Sequence, residues 1–225
     1  MTTATPRPGR PRRSAAALAA ERRRVAREAL RLFAQDGVAA TSADDVARAA
    51  GVSVRTFWRL FPRKEDAVRP LLEDGVVALA ADVRARGLAG LLGAATPARP
   101  EPGPSDAASD AEPIRTLVRL TRTEPAVRGV WLDVHDGAES VLADALAASR
   151  GEAVPGLGTR TTAAVANAAL RVAVEEWAWQ ETGTESGAPA ASLARRVDEA
   201  LRLAADALGR RADETPEAAP GSPAD

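Results

Sequence analysis

Two helix starts and one forced helix end fall within Thr41–Lys64, TSADDVARAAGVSVRTFWRLFPRK, and no other stretch of the chain restricts its fold so tightly. Ser42 stands where it can cap a first helix, with Asp45 three residues on in the capping-box position. Val46, Ala49 and Ala50 follow at helical spacing. Gly51 then stops the helix where a left-handed backbone is needed, which glycine adopts at little cost. Ser53 is placed to cap a second helix that Pro62 ends. On that helix the spacing puts Arg55, Thr56, Trp58 and Arg59 outward and Val54, Phe57 and Phe61 inward. Two short helices joined by a tight glycine turn, the second rich in donors and carrying a flat aromatic, suit the DNA major groove.

The upstream segment RRRVAREALRLFAQDGVAATS, Arg22 to Ser42, supplies a preceding helix with Val25, Ala29, Leu32 and Phe33 on one face. The whole stretch resembles the TetR family of bacterial transcription regulators over roughly residues 20 to 68. The matching features are the Phe33–Gly37 helix ending, Ala47 and Ala50 before Gly51-Val52-Ser53, and Phe61 with Lys64-Glu65. One departure is Trp58, where the family usually has tyrosine. An indole N–H donates to a phosphate but cannot accept in return. The resemblance implies an all-α fold: a three-helix helix-turn-helix DNA-binding domain, then a helical ligand-binding and dimerisation domain.

Charge agrees with that division. Residues 1 to 66 hold fourteen Lys/Arg against seven acids, about +7, although the whole chain carries −1. A basic first third on a near-neutral protein is the footprint of phosphate binding confined to one domain. At the start of the second helix, Val54, Arg55 and Thr56 are expected to face base edges. Ser42, Trp58, Arg59 and Lys64 are expected to hold the DNA backbone, together with helix N-termini. The N-terminal arm Arg7-Pro8-Gly9-Arg10-Pro11-Arg12-Arg13 has nothing apolar to bury and is expected to be disordered alone. It looks like an AT-hook, whose arginines, here Arg10 and Arg12, enter a narrow minor groove, and it attracts phosphates in any case.

The expected domains are a basic arm over 1–18, the DNA-binding domain over 19–66, a helical body over 67–208 and a disordered tail over 209–225. Within the body, residues 87–112 are expected to form a flexible loop, rich in proline beyond Gly87, with one short helix around Leu88–Leu92. A helix from Lys64 to about Arg86 should kink or restart at Pro70, which removes a hydrogen bond and crowds the Asp66 carbonyl. Further helices are expected from Pro113, from Pro125 to about Ser149, from Thr161 to about Trp179, and from Ser192 to Leu208. The Pro125 helix carries Val127, Val130, Trp131, Val134, Ala138, Val141, Leu142 and Ala145 along one side.

The Thr161 helix bears apolar residues on two sides and must be buried on both. The simplest account is that the last two helices pack together and against a second copy, through Val165, Ala169, Val172, Leu193, Val197, Leu201 and Leu208. Arg195, Arg196, Asp198 and Glu199 then face outward. The resemblance implies the same dimer, and a two-fold dimer reads a palindromic operator in double-stranded DNA.

Enzyme chemistry finds little support in the body. There is no cysteine, and His135 is the only histidine, so no transition-metal shell can be completed; no metal and no cofactor are expected. In Asp133-Val134-His135-Asp136 the histidine reads as a surface or pocket-rim residue. No apolar run is long enough to span a membrane, and the chain reads as cytoplasmic. The segments TRTEPAVRGVWLDVHDGAESVLADALAASRG, ALRVAVEEWAW and FWRLFPRKEDAV resemble the TetR subgroup with an acyl-CoA-like ligand-binding domain. That resemblance implies an elongated apolar effector. The expected lining is Val76, Leu79, Trp131, His135 and Trp177, the alternative being that the tryptophans fill the core or the dimer interface. Two functions stay open: a dimeric repressor released from DNA by an apolar, acyl-type small molecule, or a DNA-binding regulator without such a switch, its body serving dimerisation or a protein partner.

Overall fold

Residues 14–92, 107–180 and 189–213 are described by the structure, a computed structural model. Regular structure among them is helical throughout. The chain divides into two units, Met1–Leu71 and Leu72–Asp225.

In the first unit, helix α1 (Ala15–Asp36) opens where Ser14 Oγ accepts from the Ala17 N–H at 3.1 Å. The helix thus starts inside the segment expected to be a disordered arm, because a serine cap and an alanine run favour it locally. Val25, Ala26, Ala29, Leu30 and Phe33 are buried on one stripe, packed on α2 (Ala43–Ala49) and on a 3-10 turn at Glu65–Val68. Helix α3 (Val54–Leu60) buries Phe57 completely, with the Phe61 ring 5.5 Å away. The Arg22 guanidinium lies 5.5 Å over the Phe61 ring, so Arg22 serves the packing of this unit and is more than a solvated charge. In α2 it is Ala47, with Val46, that faces inward, whereas Ala49 is exposed.

The helix expected from Lys64 to Arg86 restarts where the sequence placed a kink or restart: a 3-10 turn at Glu65–Val68 gives way to α4 (Arg69–Leu92). Pro70 is the second residue of α4, where a missing N–H costs nothing. The interruption of α4 lies at Gly87, with φ 64° and ψ −175°. A side chain there would be strained, and glycine is what permits the bend. Beyond it α4 reaches Leu92, over the residues where a short helix was expected.

The second unit is built round α7 (Leu157–Trp179), which packs on α5 (Ala107–Leu120), α6 (Pro125–Arg150) and α8 (Pro189–Asp213). Helix α5 begins six residues before Pro113, which stands inside it rather than at its start. The remainder of the expected loop, 93–106, and the tail from 214 lie outside the described residues. A core of Ala80, Val83, Leu142, Ala143, Ala145, Leu146, Ala163, Ala166 and Leu201 joins α4, α6, α7 and α8. Its alanines lose no side-chain entropy on burial and let the helices approach closely. Val141, expected on the buried side of α6, is 41% exposed.

Two arginines of α5, and Arg122 in the turn after it, hold the end of α7. Arg115 donates to the Trp177 carbonyl at 3.3 Å, and Arg119 donates to the carbonyls of Ala178 at 2.7 Å and Gln180 at 2.8 Å. The Arg122 guanidinium lies 5.1 Å over the Trp179 ring, whose Nε1 donates to the Val118 carbonyl at 3.2 Å. Carbonyls in the last turn of a helix have no donors within it, so cations there satisfy them and oppose the helix dipole.

Candidate nucleic-acid interface and body cavity

The α2–α3 hairpin is fixed by local hydrogen bonds. Ser42 Oγ accepts from the Asp45 N–H at 3.1 Å, and Asp45 Oδ2 accepts from the Ser42 N–H at 3.2 Å, a complete capping box. The Ser42 hydroxyl also donates to Asp45 at 2.6 Å, and these bonds, with Arg48 beside them, hold the Asp45 carboxyl below its usual range. At the other end Gly51, at φ 64°, donates to the Arg48 carbonyl at 3.1 Å, and the Val52 N–H reaches the Ala47 carbonyl at 2.9 Å. This is a Schellman ending, which turns the chain sharply into α3. Ser53 caps α3 by accepting from the Thr56 N–H at 3.1 Å.

On α3, Arg55, Trp58 and Arg59 are exposed and Thr56 is half-buried, its hydroxyl 2.8 Å from that of Ser53. Val54 is not inward as its spacing implied but 37% exposed, in the first turn of α3, where Phe57 is the residue that is buried. Trp58 is 49% exposed and stands edge-on to the buried Phe57, ring centroids 5.2 Å apart at 87°. Exposed Val54, Arg55, Trp58 and Arg59 therefore lie on an α3 surface backed by Phe57. Ser42 is exposed at the start of α2. Arg10 and Arg12 lie outside the described residues.

Lys64 is engaged within the unit. Its Nζ donates to the Val38 carbonyl at 2.6 Å and to the Thr41 carbonyl at 2.8 Å. Asp66, to whose side chain sequence assigns no role, is 5% exposed and accepts from Arg63 Nη2 at 2.8 Å and Nε at 3.1 Å. Burial pushes its carboxyl up, but Arg63, with Arg69 at 3.8 Å, outweighs this and holds it below the usual carboxylate range. The Arg63-Lys64-Glu65-Asp66 spacing is the signal that would have found it.

In the body, an apolar cavity is lined by Leu79, Val83, Leu142, Leu146, Ala163, Ala166, Leu170 and Leu201. It has room for about one water molecule, ≈ 10 Å³ open to the centre of a water-sized sphere. Of the five residues expected to line a pocket, Leu79 does so. Val76 is half-buried and is not part of the lining. The other three are committed to packing. Trp131 Nε1 donates to Glu175 Oε1 at 2.8 Å, and Trp177 Nε1 donates to Ser192 Oγ at 2.9 Å. His135 is 8% exposed, not at the surface or a pocket rim. Its Nδ1 lies 2.8 Å from Asn167 Oδ1, and its own carbonyl accepts from Asn167 Nδ2 at 2.9 Å. Burial pushes the imidazole below its usual range; the Asn167 hydrogen bond opposes the shift and Arg171 adds to it.

Of the residues expected to meet a second copy, Val172 is 51% exposed. Val165, Ala169, Leu193 and Val197 are half-buried, Ala169 and Val197 against the core. Leu201 is 3% exposed inside that core and also lines the cavity, so it belongs to the protomer's interior. Leu208 lies on α8 outside the residues whose side chains are described. Asp198, expected outward, is 6% exposed. Among the described residues no cluster of His, Cys, Asp or Glu could hold a metal ion, and no helix is long and apolar enough to cross a membrane.

The basic first unit, with a capped α2, a glycine turn and an α3 that presents arginines and an indole, defines a helix-turn-helix DNA-binding protein. Residues 26–69 match the model for bacterial regulatory proteins of the tetR family, and residues 105–209 match the model of the MftR C-terminal domain. The chain belongs to the TetR family of DNA-binding transcription regulators. Among curated proteins none matches it. Solved structures similar to it include a TetR-family regulator from Mesorhizobium loti, at 16% identity and TM-score 0.47, over 84% of this chain and 97% of that one. A second is the Thermus thermophilus repressor FadR in complex with lauroyl-CoA, at 22% identity and TM-score 0.41, over 89% and 100%. A third, a regulator from Saccharomonospora viridis in complex with choline, has 19% identity and TM-score 0.40, over 80% and 95%.

Proposed function

We propose that this regulator is a cytoplasmic, homodimeric repressor, without enzymatic activity, that leaves a palindromic operator when an apolar, acyl-type small molecule enters its body. The observation that carries the DNA-binding part is the α3 surface, where Val54, Arg55, Trp58 and Arg59 are solvent-facing over a buried Phe57. In this reading Val54, Arg55 and Thr56 meet base edges, while Ser42, Trp58 and Arg59 hold phosphates, with Arg10 and Arg12 of the arm in support. Lys64 keeps one N–H for a phosphate after its two carbonyl bonds.

One short helix contacts few base pairs, so a second copy is needed, its α3 entering the groove about 34–36 Å away. The exposed Val172 and Ala168 on α7 and Leu203, 61% exposed, on α8 support a partner on these helices. The all-apolar cavity supports an apolar effector. It has room for about one water molecule, so a ligand must part α4, α6, α7 and α8 to enter. An effector acts only if it binds the DNA-free arrangement better than the DNA-bound one. Helix α4 carries Leu79 and Val83 and is continuous with the 3-10 turn that packs on α1, a covalent route for that preference.

The cavity's size favours a second reading, in which the body serves dimerisation or a protein partner and no small molecule enters. A ligand pocket of ordinary size occupies about 300 Å³ or more. Footprinting on the DNA upstream of the protein's own gene, repeated with a series of acyl-CoA thioesters, tests both readings. Two protected half-sites one helical turn apart, lost on adding one thioester, are the expected result. Protection that no thioester disturbs would leave the second reading standing, and no protection would remove the operator.

A further inference from the structure

We propose that Lys64 is a positioning residue for DNA binding: its ammonium ties the α1–α2 turn to the segment that follows α3 and thereby sets where the N-terminus of α2 stands. The proposal rests on the reading that the first unit binds DNA. Lys64 Nζ bridges two carbonyls of one turn, Val38 at 2.6 Å and Thr41 at 2.8 Å, which lie 26 and 23 residues away in sequence. That turn leads directly into Ser42 and the capping box, so the two anchored carbonyls immediately precede the entry to α2. Thr41 is 3% exposed, and its hydroxyl donates to the Gly37 carbonyl at 2.8 Å, fixing the turn from the other side.

Two carbonyl oxygens converging on one point form a site of negative potential, which a cation with several donors fills. A neutral side chain of the same length would leave two partly buried acceptors unmet. The same carbonyls, left bare beside the α2 N-terminus, would repel an approaching phosphate; bridged by an ammonium, they do not. Lysine suits the place because its three N–H groups diverge from one atom: two are spent on the turn and one remains for solvent or a phosphate.

Lys64 is the only lysine of the chain, which makes the test direct. Full-length protein labelled with ¹⁵N-lysine holds one side-chain ammonium. The expected result is an ammonium signal protected from solvent exchange in the DNA-free protein. A signal that exchanges freely and becomes protected only on adding DNA would overturn the proposal. In parallel, wild type, Lys64→Met and Lys64→Arg are titrated with a short mixed-sequence DNA duplex over a range of salt, well below their thermal midpoints. Positioning predicts an affinity loss of about tenfold or more for Lys64→Met that persists on extrapolation to high salt. It also predicts a salt slope changed by less than half of one phosphate contact, with partial recovery in Lys64→Arg. A slope lower by about 0.9, with no loss remaining at high salt, would make Lys64 a phosphate ligand only. A lower thermal midpoint with unchanged affinity would make it a merely structural tie. If wild type binds no DNA, the DNA-binding reading falls, and the protected ammonium still decides whether the bridge exists.

Discussion

Leu201 is where the protomer core and a dimer interface make opposite predictions. It is 3% exposed, packed with Val83, Leu142, Leu146 and Ala163, and it also lines the small cavity. Leu201→Ala deletes three carbon groups, roughly 2.4 kcal/mol at about 0.8 kcal/mol each. The void adds to this, because helices already bordering a cavity have little left to close over it, and the sum is about 3–4 kcal/mol, within the ~2–5 kcal/mol found for such truncations. Urea unfolding followed by circular dichroism measures the loss directly. Sedimentation of the folded variant beside wild type shows whether association changed. The expected result is a midpoint well below wild type and a folded fraction that still self-associates. A variant that keeps its unfolding midpoint but sediments as a monomer would put Leu201 in the interface and refute the core assignment.

Val172→Asp, by contrast, places a charge on an exposed α7 position and is expected to abolish self-association and operator binding while helicity is retained; a dimer at micromolar concentration would move the interface elsewhere. Arg55→Ala is expected to cost about 1–3 kcal/mol at one base position, and unchanged preference across operator variants would take α3 out of the groove. His135 is held neutral by burial, with its pKa below that of the unfolded chain. The unfolded chain therefore takes up the proton first, and stability is lost as pH falls through about 6.5 toward the folded value, with no effect above. Thermal midpoints of wild type and His135→Gln across that window should converge at low pH; parallel curves would mean that His135 is not a buried neutral group.

Much of the DNA-binding unit could be read directly because its determinants are local. Ser42 and Asp45, Gly51 and Arg48, Ser53 and Thr56 are three residues apart, and their hydrogen bonds form within a single turn whatever surrounds them. The same holds for Pro125 at the start of α6 and for the helical character of the body, where alanine and leucine dominate. Periodicity also located the buried stripe of α1, through Val25, Ala29 and Phe33.

What sequence did not decide is which of several apolar or polar faces meets which neighbour. Val172 lies on a helix with two apolar sides and Leu201 on one with a single apolar face, and α4 and α6 cover Leu201 while Val172 is left exposed. His135 and Asp198 are polar residues whose burial depends on the helices packed against them, and the partner that makes His135 tolerable, Asn167, is 32 residues away. Lys64 looked like a free cation because the carbonyls that hold it are backbone groups of a distant turn, and side-chain patterns do not record those. Local hydrogen bonds are written into neighbouring residues, whereas burial is a property of the assembled surface: sequence by itself determined the capped helices and the glycine turn, and only tertiary packing decided which of their charges stay available to DNA.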